Sequence, residues 1–460
     1  MLASRSLVDI AERFGGTLWC RDGLAGAPAT EYSGVAIDSR AVAAGELFVA
    51  IVGRSQDGHN FVAEVGDRAA ALVVDRVQPD SPLLQWVVDD TTVALGQLAQ
   101  FEREHFNHPV IALTGSSGKS SVKEMCAAIL RLCAPTLATA GNLNNQFGAP
   151  LTLLALTPEH RYAVIELGAS GVGDIAYLAA LTQANVALVN NIQPAHVEGF
   201  GSLEAIAAEK SAIYRQLGAA DTAVINLDEP YAAGWQRQLA VARVITFSVA
   251  QQSADLTATE VALSAGGCAH FLLQAEGRSA AVELKVPGLH QINNALAAAA
   301  LARAVGVDIE TIARGLSTAT TLSGRLTVER LTEKVTLIDD SYNANPGSVA
   351  AAIDLLAAMP GLRCLVLGDM AELGERAADW HREVGRYAAE QAIDAVFGVG
   401  ELAALAAESA AGSVCRDQAH CLQSLLAITA QASEVTLLVK GSRSAGMDKL
   451  CAQLRAEVKA

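Results

Sequence analysis

The chain has 460 residues, of which 51% are hydrophobic and 18% charged, and it carries a formal net charge of −16. This length exceeds one ordinary hydrophobic core and indicates roughly three domains. The acidic balance and the lack of any Lys/Arg cluster argue against a nucleic-acid partner, because phosphate backbones are met by clustered positive charge.

Cysteine usage and hydropathy bear on the compartment. The eight cysteines are scattered without a Cys-x-x-Cys pair, which argues against a zinc site or a disulfide framework and favours a reducing cytosol. No uncharged apolar run reaches the roughly 18 to 20 residues of a membrane span, and "MLASRSLVDIAERFGG" lacks the apolar core of a signal peptide. We therefore expect a soluble, cytoplasmic protein with no membrane span.

The first predicted domain covers residues 1–87. Short alternating runs such as "GVAIDSR" and "GELFVAIVG" precede a helix-like stretch and the apolar "AAALVV". This pattern is typical of a small α/β unit.

The second predicted domain covers residues 88–322. The apolar strands "VIALTG", "YAVIELG", "NVALVNN" and "TAVINLD" are each followed by a turn and a helix. Such alternation indicates a parallel sheet buried on both faces. Residues 251–285 alternate like antiparallel strands and favour a hairpin on this domain.

The third predicted domain covers residues 323–460. Its strands "VTLIDDS", "RCLVLGD", "AVFGVG" and "VTLLVKG" are again separated by helical segments, as in a second doubly wound sheet. The predicted fold class is therefore α/β, with three domains in a row.

A candidate phosphate-binding loop follows the strand "VIAL". Its glycines leave room for backbone amides to face a phosphate at a helix N-terminus, Lys119 can reach terminal phosphates, and Ser120 can ligate Mg²⁺. The alternative is a glycine-rich turn that binds nothing, and Leu113 stands where the commonest form of the motif has glycine. A Gly-Lys-Ser triplet at a strand–helix junction favours the phosphate site. The loop residues are Thr114, Gly115, Ser116, Ser117, Gly118, Lys119, Ser120 and Ser121.

Further polar residues follow neighbouring strands. Glu166 ends "YAVIE" and His196 follows "NVALVNN", so both fall on the rim of the loop, where they could complete a magnesium shell. Taken alone, such a glutamate is a surface or capping residue and such a histidine is structural. Lys210 lies mid-helix and is interpreted as a solvated surface lysine, although its apolar neighbours leave an inward orientation open.

Two asparagine-rich segments allow two interpretations each. "DDSYNANP" (339–346) follows a strand and could cap the helix starting near Ser348 or form a ligand rim. "GNLNNQFGAP" (141–150) could be a turn, or its amides could bind a polar ligand.

These and other segments occur in the order typical of one family. They are "TGSSGKSSVKEM", "GNLNNQFGAP", "IELGAS", His196, Lys210, "PGLHQINNALAAAA", "SGR" (323–325), "DDSYNANP", "LGDMAELG" and "VKGSRS", preceded by "DSR" (38–40) and "DGHNF" (57–61). Over almost its whole length the chain resembles the Mur ligases, and "DDSYNANP" most resembles the branch that adds D-alanyl-D-alanine. An apolar residue at the Leu113 position is the form that the loop has in this family.

The resemblance implies an ATP-dependent amide ligase of peptidoglycan precursor synthesis, with a nucleotide-sugar-binding N-terminal domain, a central ATPase domain and a C-terminal Rossmann-like domain. The implied catalytic residues are Lys119 on the γ-phosphate, Glu166, His196 and Lys210. Magnesium would be held by Ser120 and Glu166, and a second magnesium by His196 and a carbamylated Lys210. ATP would also contact Asn294 on the adenine side, Arg325 and Asp340.

The same resemblance implies a substrate side. Ser39 and Arg40 would lie near the uridine nucleotide, and Asn142, Asn144, Asn145 and Ser170 would line the muramoyl-peptide channel. Asn343 and Asn345 would face the dipeptide. Two positions depart from the family: Gln291 stands where relatives commonly have Asn, and Ser120 replaces the more frequent Thr but keeps the hydroxyl.

The implied reaction joins UDP-N-acetylmuramoyl-tripeptide to D-alanyl-D-alanine through an acyl phosphate, with ATP and Mg²⁺ as cofactors and a monomeric enzyme. The alternatives are another Mur-type or folylpolyglutamate-type ligase with a different acceptor, a P-loop ATPase switch, and a degenerate binding protein. A third domain with its own polar rim argues against a switch. The joint presence of Lys119, Glu166, His196 and Lys210 argues against degeneration.

Overall fold

The computed structural model describes residues 5–23, 31–53, 55–239, 243–320 and 322–458. Three main sheets follow one another along this part of the chain, each accompanied by helices, as the α/β prediction requires. Short 3₁₀ turns connect several elements at Gly58–Phe61, Gly66–Arg68, Ala212–Gln216, Gly374–Arg376 and Arg443–Ala445.

The N-terminal sheet is small and mostly parallel. Its elements are β1 (Arg5–Ser6), α1 (Leu7–Phe14), β2 (Thr17–Trp19), β3 (Glu31–Tyr32), β4 (Gly34–Ala36), β5 (Glu46–Val49), α2 (Val62–Val65), β6 (Ala69–Val74) and β7 (Leu84–Val87). The strand order is β2-β7-β6-β5-β4, with β2 antiparallel at the edge, while β1 and β3 form a separate antiparallel pair.

The central sheet has nine strands. They are β8 (Val110–Thr114), β9 (Thr136–Ala138), β10 (Tyr162–Glu166), β11 (Val186–Val189), β12 (Thr222–Asn226), β13 (Arg243–Ser248), β14 (Leu256–Leu263), β15 (Cys268–Ala275) and β16 (Arg278–Pro287). The order is β16-β15-β14-β13-β12-β11-β8-β10-β9. Strands β8 to β14 pair in parallel and β14 to β16 pair antiparallel, which confirms the antiparallel interpretation of residues 251–285.

The helices of the central region precede, connect and follow these strands. They are α3 (Thr91–Glu104), α4 (Lys119–Arg131), α5 (Gly148–Leu154), α6 (Asp174–Thr182), α7 (Val197–Phe200), α8 (Leu203–Ser211), α9 (Ala232–Gln238), α10 (His290–Ala304) and α11 (Ile309–Leu316). All five residues of β8 are buried, as the continuous apolar pattern predicts. Since β8 lies between β10 and β11, the strand order reverses there, and ligands bind at the carboxyl end of such a switch point.

The C-terminal sheet repeats this architecture with six strands. Its elements are β17 (Thr327–Arg330), β18 (Val335–Asp340), α12 (Pro346–Ala357), β19 (Leu362–Gly368), α13 (Ala377–Glu390), β20 (Ala395–Val399), α14 (Glu401–Ser409), β21 (Ser413–Cys415), α15 (Gln418–Gln431), β22 (Val435–Lys440) and α16 (Met447–Val458). The order is β17-β18-β22-β19-β20-β21, and all pairs except β17–β18 are parallel.

The buried apolar side chains form separate clusters that partly follow the three sheets. The C-terminal sheet has its own clusters on its two faces, whereas one large cluster includes Leu7 and Trp86 of the N-terminal region together with Leu95 and Ile165 of the central region. The boundaries at residues 87 and 322 stay predictions. Within the described helices, none combines the length and the apolar character needed to cross a bilayer.

Candidate active site

The loop between β8 and α4 is shaped by glycine and by the segment that follows β11. Gly118 has φ = 75°, and a Cβ on it would lie 2.4 Å from Asn294 Oδ1. Asn191 holds the backbone of Ser117, because its Oδ1 accepts from Ser117 N (2.8 Å) and its Nδ2 donates to Ser117 O (3.0 Å). Only glycine fits at 118, so the loop amides are fixed at the N-terminus of α4, where a phosphate is favoured.

Lys119 is the first residue of α4, and its Nζ donates to Gly115 O (2.8 Å). Burial lowers the pKa of Lys119, the Glu166 carboxylate opposes this, and the Arg325 guanidinium lowers the pKa further. In the described part of the chain Lys119 forms no ion pair, so its charge is left for an anionic ligand.

Glu166 ends β10 and is 1% exposed. Its Oε2 accepts from Ser120 Oγ (2.8 Å) and its Oε1 accepts from Asn144 Nδ2 (2.7 Å). The predicted loop and the predicted carboxylate are therefore in direct contact. Asn145 of the same asparagine-rich segment accepts from Gly148 N (2.9 Å) at the start of α5, so this segment both forms a turn and contacts the site.

His196 lies at the start of α7 with φ = 56°. Its Nδ1 lies against Oε2 of Glu372, and Glu372 belongs to the loop after β19. In addition, Glu198 N donates to Glu372 O (3.2 Å). Burial lowers the pKa of His196 and the Glu372 carboxylate opposes this change. The C-terminal region thus reaches the histidine directly.

Lys210 is 1% exposed, so the interpretation of a solvated surface lysine is wrong. Burial lowers its pKa to about 7, with Lys119 adding to the decrease and Glu209 opposing it. The neighbouring Glu209 accepts hydrogen bonds from Gly173 N (2.8 Å) and Ile175 N (2.7 Å) at the start of α6. No described residue hydrogen-bonds to Lys210 or pairs with it, which leaves a buried amine without a partner.

The segment "DDSYNANP" has both of the functions considered for it. Asn345 caps α12, since its Oδ1 accepts from Ser348 N (2.8 Å), and the helix begins at Pro346, two residues before the predicted start. Asn345 Nδ2 also donates to Ser117 Oγ (2.9 Å), which in turn donates to Gln193 Oε1 (2.7 Å). A capping residue of the C-terminal region therefore contacts the phosphate loop.

Charged residues at the ends of β18 and β22 support this segment. Asp340 and Lys440 are register partners, and Lys440 Nζ donates to Asp340 Oδ2 and to Asn343 O (3.0 Å). Burial raises the pKa of Asp340, while the Lys440 ammonium lowers it. The Arg325 guanidinium lies 3.9 Å from the centre of the Tyr342 ring, a cation–π contact that holds it beside the same segment.

Amides from two segments meet at the start of α10. Asn294 is 4% exposed; its Oδ1 accepts from Asn190 Nδ2 (3.1 Å) and its Nδ2 donates to Gln291 Oε1 (2.9 Å). Gln291 thus takes part in this amide network although it departs from the family pattern.

Most of these groups line a cleft of about 980 Å³ between the central and C-terminal sheets. The predicted residues on its wall are Ser116, Ser117, Gly118, Lys119, Ser120, Ser121, Asn142, Asn144, Asn145, Glu166, Ser170, His196, Asn294, Arg325, Asp340, Asn343 and Asn345. Thr114, Gly115 and Lys210 are buried behind the wall.

Ser39 and Arg40 do not line this cleft. Ser39 Oγ donates to Glu64 Oε2 (3.2 Å), and the exposed Arg40 forms a two-point pair with Asp38, with Nε and Nη2 at 2.9 and 2.7 Å from its carboxylate oxygens. Both belong to the loop between β4 and β5. Their assignment to the uridine nucleotide stays a prediction.

Several residues at the site have no role that the sequence patterns predict. Asn191 and Gln193 hold the phosphate loop, and Glu372 and Lys440 hold His196 and "DDSYNANP". The first pair directly follows the strand "NVALV", where the rule that selected His196 would also have selected them. The other two lie in "LGDMAELG" and "VKGSRS", which carried the resemblance without a function of their own.

The donor set is suited to magnesium. Ser120 and Glu166 provide a hydroxyl and a carboxylate 2.8 Å apart, the hard oxygen ligands that Mg²⁺ prefers. Across the described residues no group of three His, Cys, Asp or Glu converges as a metal cage. This is expected for an ion whose remaining ligands are substrate phosphates and water.

Comparisons with known proteins show the family of the chain. The Mur ligase middle domain matches residues 113–302, and the Mur ligase, glutamate ligase domain matches residues 324–443. The UDP-N-acetylmuramoyl-tripeptide--D-alanyl-D-alanine ligase of Escherichia coli (strain K12) is 45% identical over 92% of this chain and 93% of its own length. The chain belongs to the Mur ligase family.

Solved structures extend the similarity to the whole described fold of this Mur ligase. A crystal structure of MurF from Acinetobacter baumannii matches with a TM-score of 0.93 and 37% identity over 99% of each chain. The MurF ligase from Thermotoga maritima, solved in complex with ADP, matches with a TM-score of 0.81 and 26% identity over 92% of this chain and 97% of that one. The resemblance found in the sequence is confirmed.

Proposed function

We propose that this Mur ligase joins D-alanyl-D-alanine to UDP-N-acetylmuramoyl-tripeptide, using ATP and Mg²⁺ and releasing ADP and phosphate. The observation that carries the proposal is the contact of Asn345 with Ser117, which brings "DDSYNANP" onto the phosphate loop inside a single cleft. The name of the E. coli relative, 45% identical over 92% of the chain, supports the same reaction.

The chemistry requires activation of a carboxylate, which is a poor electrophile. The terminal carboxylate of the tripeptide attacks the γ-phosphate of ATP, giving an acyl phosphate and ADP, and the dipeptide amine then attacks the carbonyl carbon and expels phosphate. Lys119 and the loop amides bind and neutralise the phosphates, so catalysis is mainly positioning and charge stabilisation. Ser120 and Glu166 would hold Mg²⁺, which would supply withdrawal of charge from the phosphate oxygens.

The C-terminal region completes the site from the other side. Asn345 and Glu372 contact the central region, and Arg325 is held against Tyr342 facing the same cleft. Excluding water there protects an acyl phosphate from hydrolysis. Asn343 and Asn345 bind the dipeptide, and Asn142, Asn144, Asn145 and Ser170 bind the muramoyl peptide.

Lys210 is proposed to carry a carbamate beside His196. Its amine nitrogen attacks CO₂ and releases a proton, which converts a buried, unpartnered amine into an anionic oxygen ligand for a second Mg²⁺. A ¹³C NMR spectrum recorded with ¹³C-bicarbonate tests this. A carbamate carbon signal that is absent in Lys210→Ala is expected, and a wild-type spectrum without that signal would refute the carbamate.

The reaction itself is tested by phosphate release with ATP and Mg²⁺. We expect release only when UDP-N-acetylmuramoyl-tripeptide and D-alanyl-D-alanine are both present, together with a product whose mass is that of the pentapeptide. Release with ATP alone would point to an ATPase, and release with a single amino acid to a different ligase. Tripeptides with meso-diaminopimelate and with L-lysine should be compared in parallel.

We also propose that the enzyme is a cytoplasmic monomer. The expectation of a cytoplasmic enzyme rests on the scattered cysteines and on the small-molecule substrates. Sedimentation velocity at several protein concentrations should give one species of about 48 kDa, given a chain mass of 47.7 kDa. A species of twice that mass would contradict the proposal.

A further inference from the structure

Lys123 is a buried lysine that the proposed mechanism does not use. It lies one turn beyond Lys119 in α4 and is 0% exposed. Its Nζ meets three oxygen atoms: Thr139 O (2.7 Å), Gly141 O (3.2 Å) and Glu124 Oε1 (3.1 Å). An ammonium group has three hydrogens to donate; two backbone carbonyls accept hydrogen bonds from it, and Glu124 adds an ion pair.

Two of those acceptors belong to segment 139–148, which also contacts the site. Thr139 Oγ1 accepts from Glu166 N (2.9 Å), and Asn144 Nδ2 donates to Glu166 Oε1 (2.7 Å). Gly168 N, two residues beyond β10, donates to Asn144 O (2.8 Å). The segment is therefore held at one end by Lys123 and further along by the residues that surround Glu166.

Filling of space does not explain a lysine at this position. Burying a cation is costly unless it is hydrogen-bonded, and an apolar side chain of similar length would occupy the same volume with less desolvation. An apolar side chain could not hold the two backbone carbonyls, however. The hydrogen bonds to Thr139 and Gly141 are what the ammonium group adds.

We propose that Lys123 is a positioning residue that fixes segment 139–148, and with it Asn144, for the muramoyl-peptide substrate. The inference rests on the proposed function, because the segment carries the asparagines assigned to the peptide channel. It connects the helix that bears Lys119 with the binding of the second substrate.

The test compares Lys123→Met, which keeps the length and removes the donors, with the exposed Lys285→Ala as a control. Amide hydrogen exchange in Lys123→Met should be faster in segment 139–148 and unchanged in 114–118. The KM for UDP-N-acetylmuramoyl-tripeptide should rise about tenfold, as expected for lost hydrogen bonds from a charged group, while the KM for ATP changes less than about twofold. Equal increases in both KM values, or unchanged exchange in segment 139–148, would overturn the proposal.

A second variant keeps the test decisive if Lys123→Met does not fold. Gly141 is exposed, has φ = 52°, and has open space around a built Cβ, so Gly141→Ala strains the segment without disturbing the core. Gly141→Ala should show the same selective rise in the KM for UDP-N-acetylmuramoyl-tripeptide. A wild-type KM in this variant would overturn the proposal. Wild-type protein without dipeptide-dependent turnover would refute the proposed function instead. In that case, hydrogen exchange in segment 139–148 would still test the role of Lys123.

Discussion

At the scale of single residues, Lys119 combines a positive charge with an environment that disfavours it. Burial and Arg325 both lower its pKa, so replacing it with an apolar residue should not destabilise the fold. We expect Lys119→Met to lose at least roughly 10²-fold in turnover, because a charge-stabilising donor is removed, with an unchanged or higher Tm. Phosphate release and calorimetry measure the two effects, with Lys285→Ala as the exposed control. Retained turnover would contradict the assignment.

We expect Glu229 to make the stability of the protein depend on pH. Burial raises the pKa of Glu229 from 4.5 to about 7, with Asp228 adding to the increase. Between these values the folded state binds more protons than the unfolded chain, so this group's contribution to stability decreases as pH rises through that window.

The variant Glu229→Gln tests this dependence, because the amide does not titrate. The Tm of Glu229→Gln minus the Tm of wild type should be larger at about pH 8 than at about pH 5, since the cost of ionising a partly buried carboxyl is removed only where the carboxyl would be ionised. Thermal unfolding at both pH values measures the difference. If the Tm of wild type and of the variant depended on pH in the same way, Glu229 would be excluded as the source of the pH dependence.

At the scale of elements, the start of α12 serves both local stability and contact between sheets. Asn345 Oδ1 caps the helix and its Nδ2 reaches Ser117. Asn345→Ser keeps a capping oxygen but is too short to contact Ser117, whereas Asn345→Ala loses both interactions.

The two variants should therefore differ in stability but show the same activity. The free energy of unfolding of Asn345→Ala should be about 1 kcal/mol lower than that of wild type, and that of Asn345→Ser should be close to the wild-type value. Both should show the same loss of dipeptide-dependent turnover. Denaturant unfolding and phosphate release measure these outcomes, and a fully active Asn345→Ser would show that only the cap matters.

At the scale of the whole molecule, close packing at Gly347 joins the C-terminal and central regions. A Cβ on Gly347 would lie 2.6 Å from the amide of Gln193, which Ser117 Oγ holds by a 2.7 Å hydrogen bond. Gly347→Ala should stabilise α12 itself, since alanine has the higher helix propensity, and yet weaken the contact between the two regions.

We expect Gly347→Ala to raise the KM for D-alanyl-D-alanine about fivefold, the cost of about one hydrogen bond, and to increase the radius of gyration in solution scattering. Gly234→Ala is the matched control, because that glycine is also helical and has free space around it. Adding Gln193→Ala should relieve the clash, so the double variant should lose less than the sum of the single ones. Additive losses would contradict a direct clash.

Local sequence patterns determined most of the fold. The strands around "VIAL", "YAVIE" and "VTLI" were predictable because a short, mostly apolar run of about four residues, followed by a polar turn, is typical of a buried strand. The start of α4 at Lys119 was predictable because glycine before a helix-forming segment marks a junction. The ordered motifs also determined the family, since their spacing is a property of the chain alone.

Only the tertiary structure decided where the remaining polar groups lie. Lysine is a residue type usually found at the surface. Lys210 and Lys123 are both buried nevertheless, because segments remote in the sequence cover them. Glu372 meets His196 and Asn345 meets Ser117 across more than 170 residues of sequence, counted from the residue numbers. Burial and long-range contact depend on the packing of whole sheets, which no local pattern encodes.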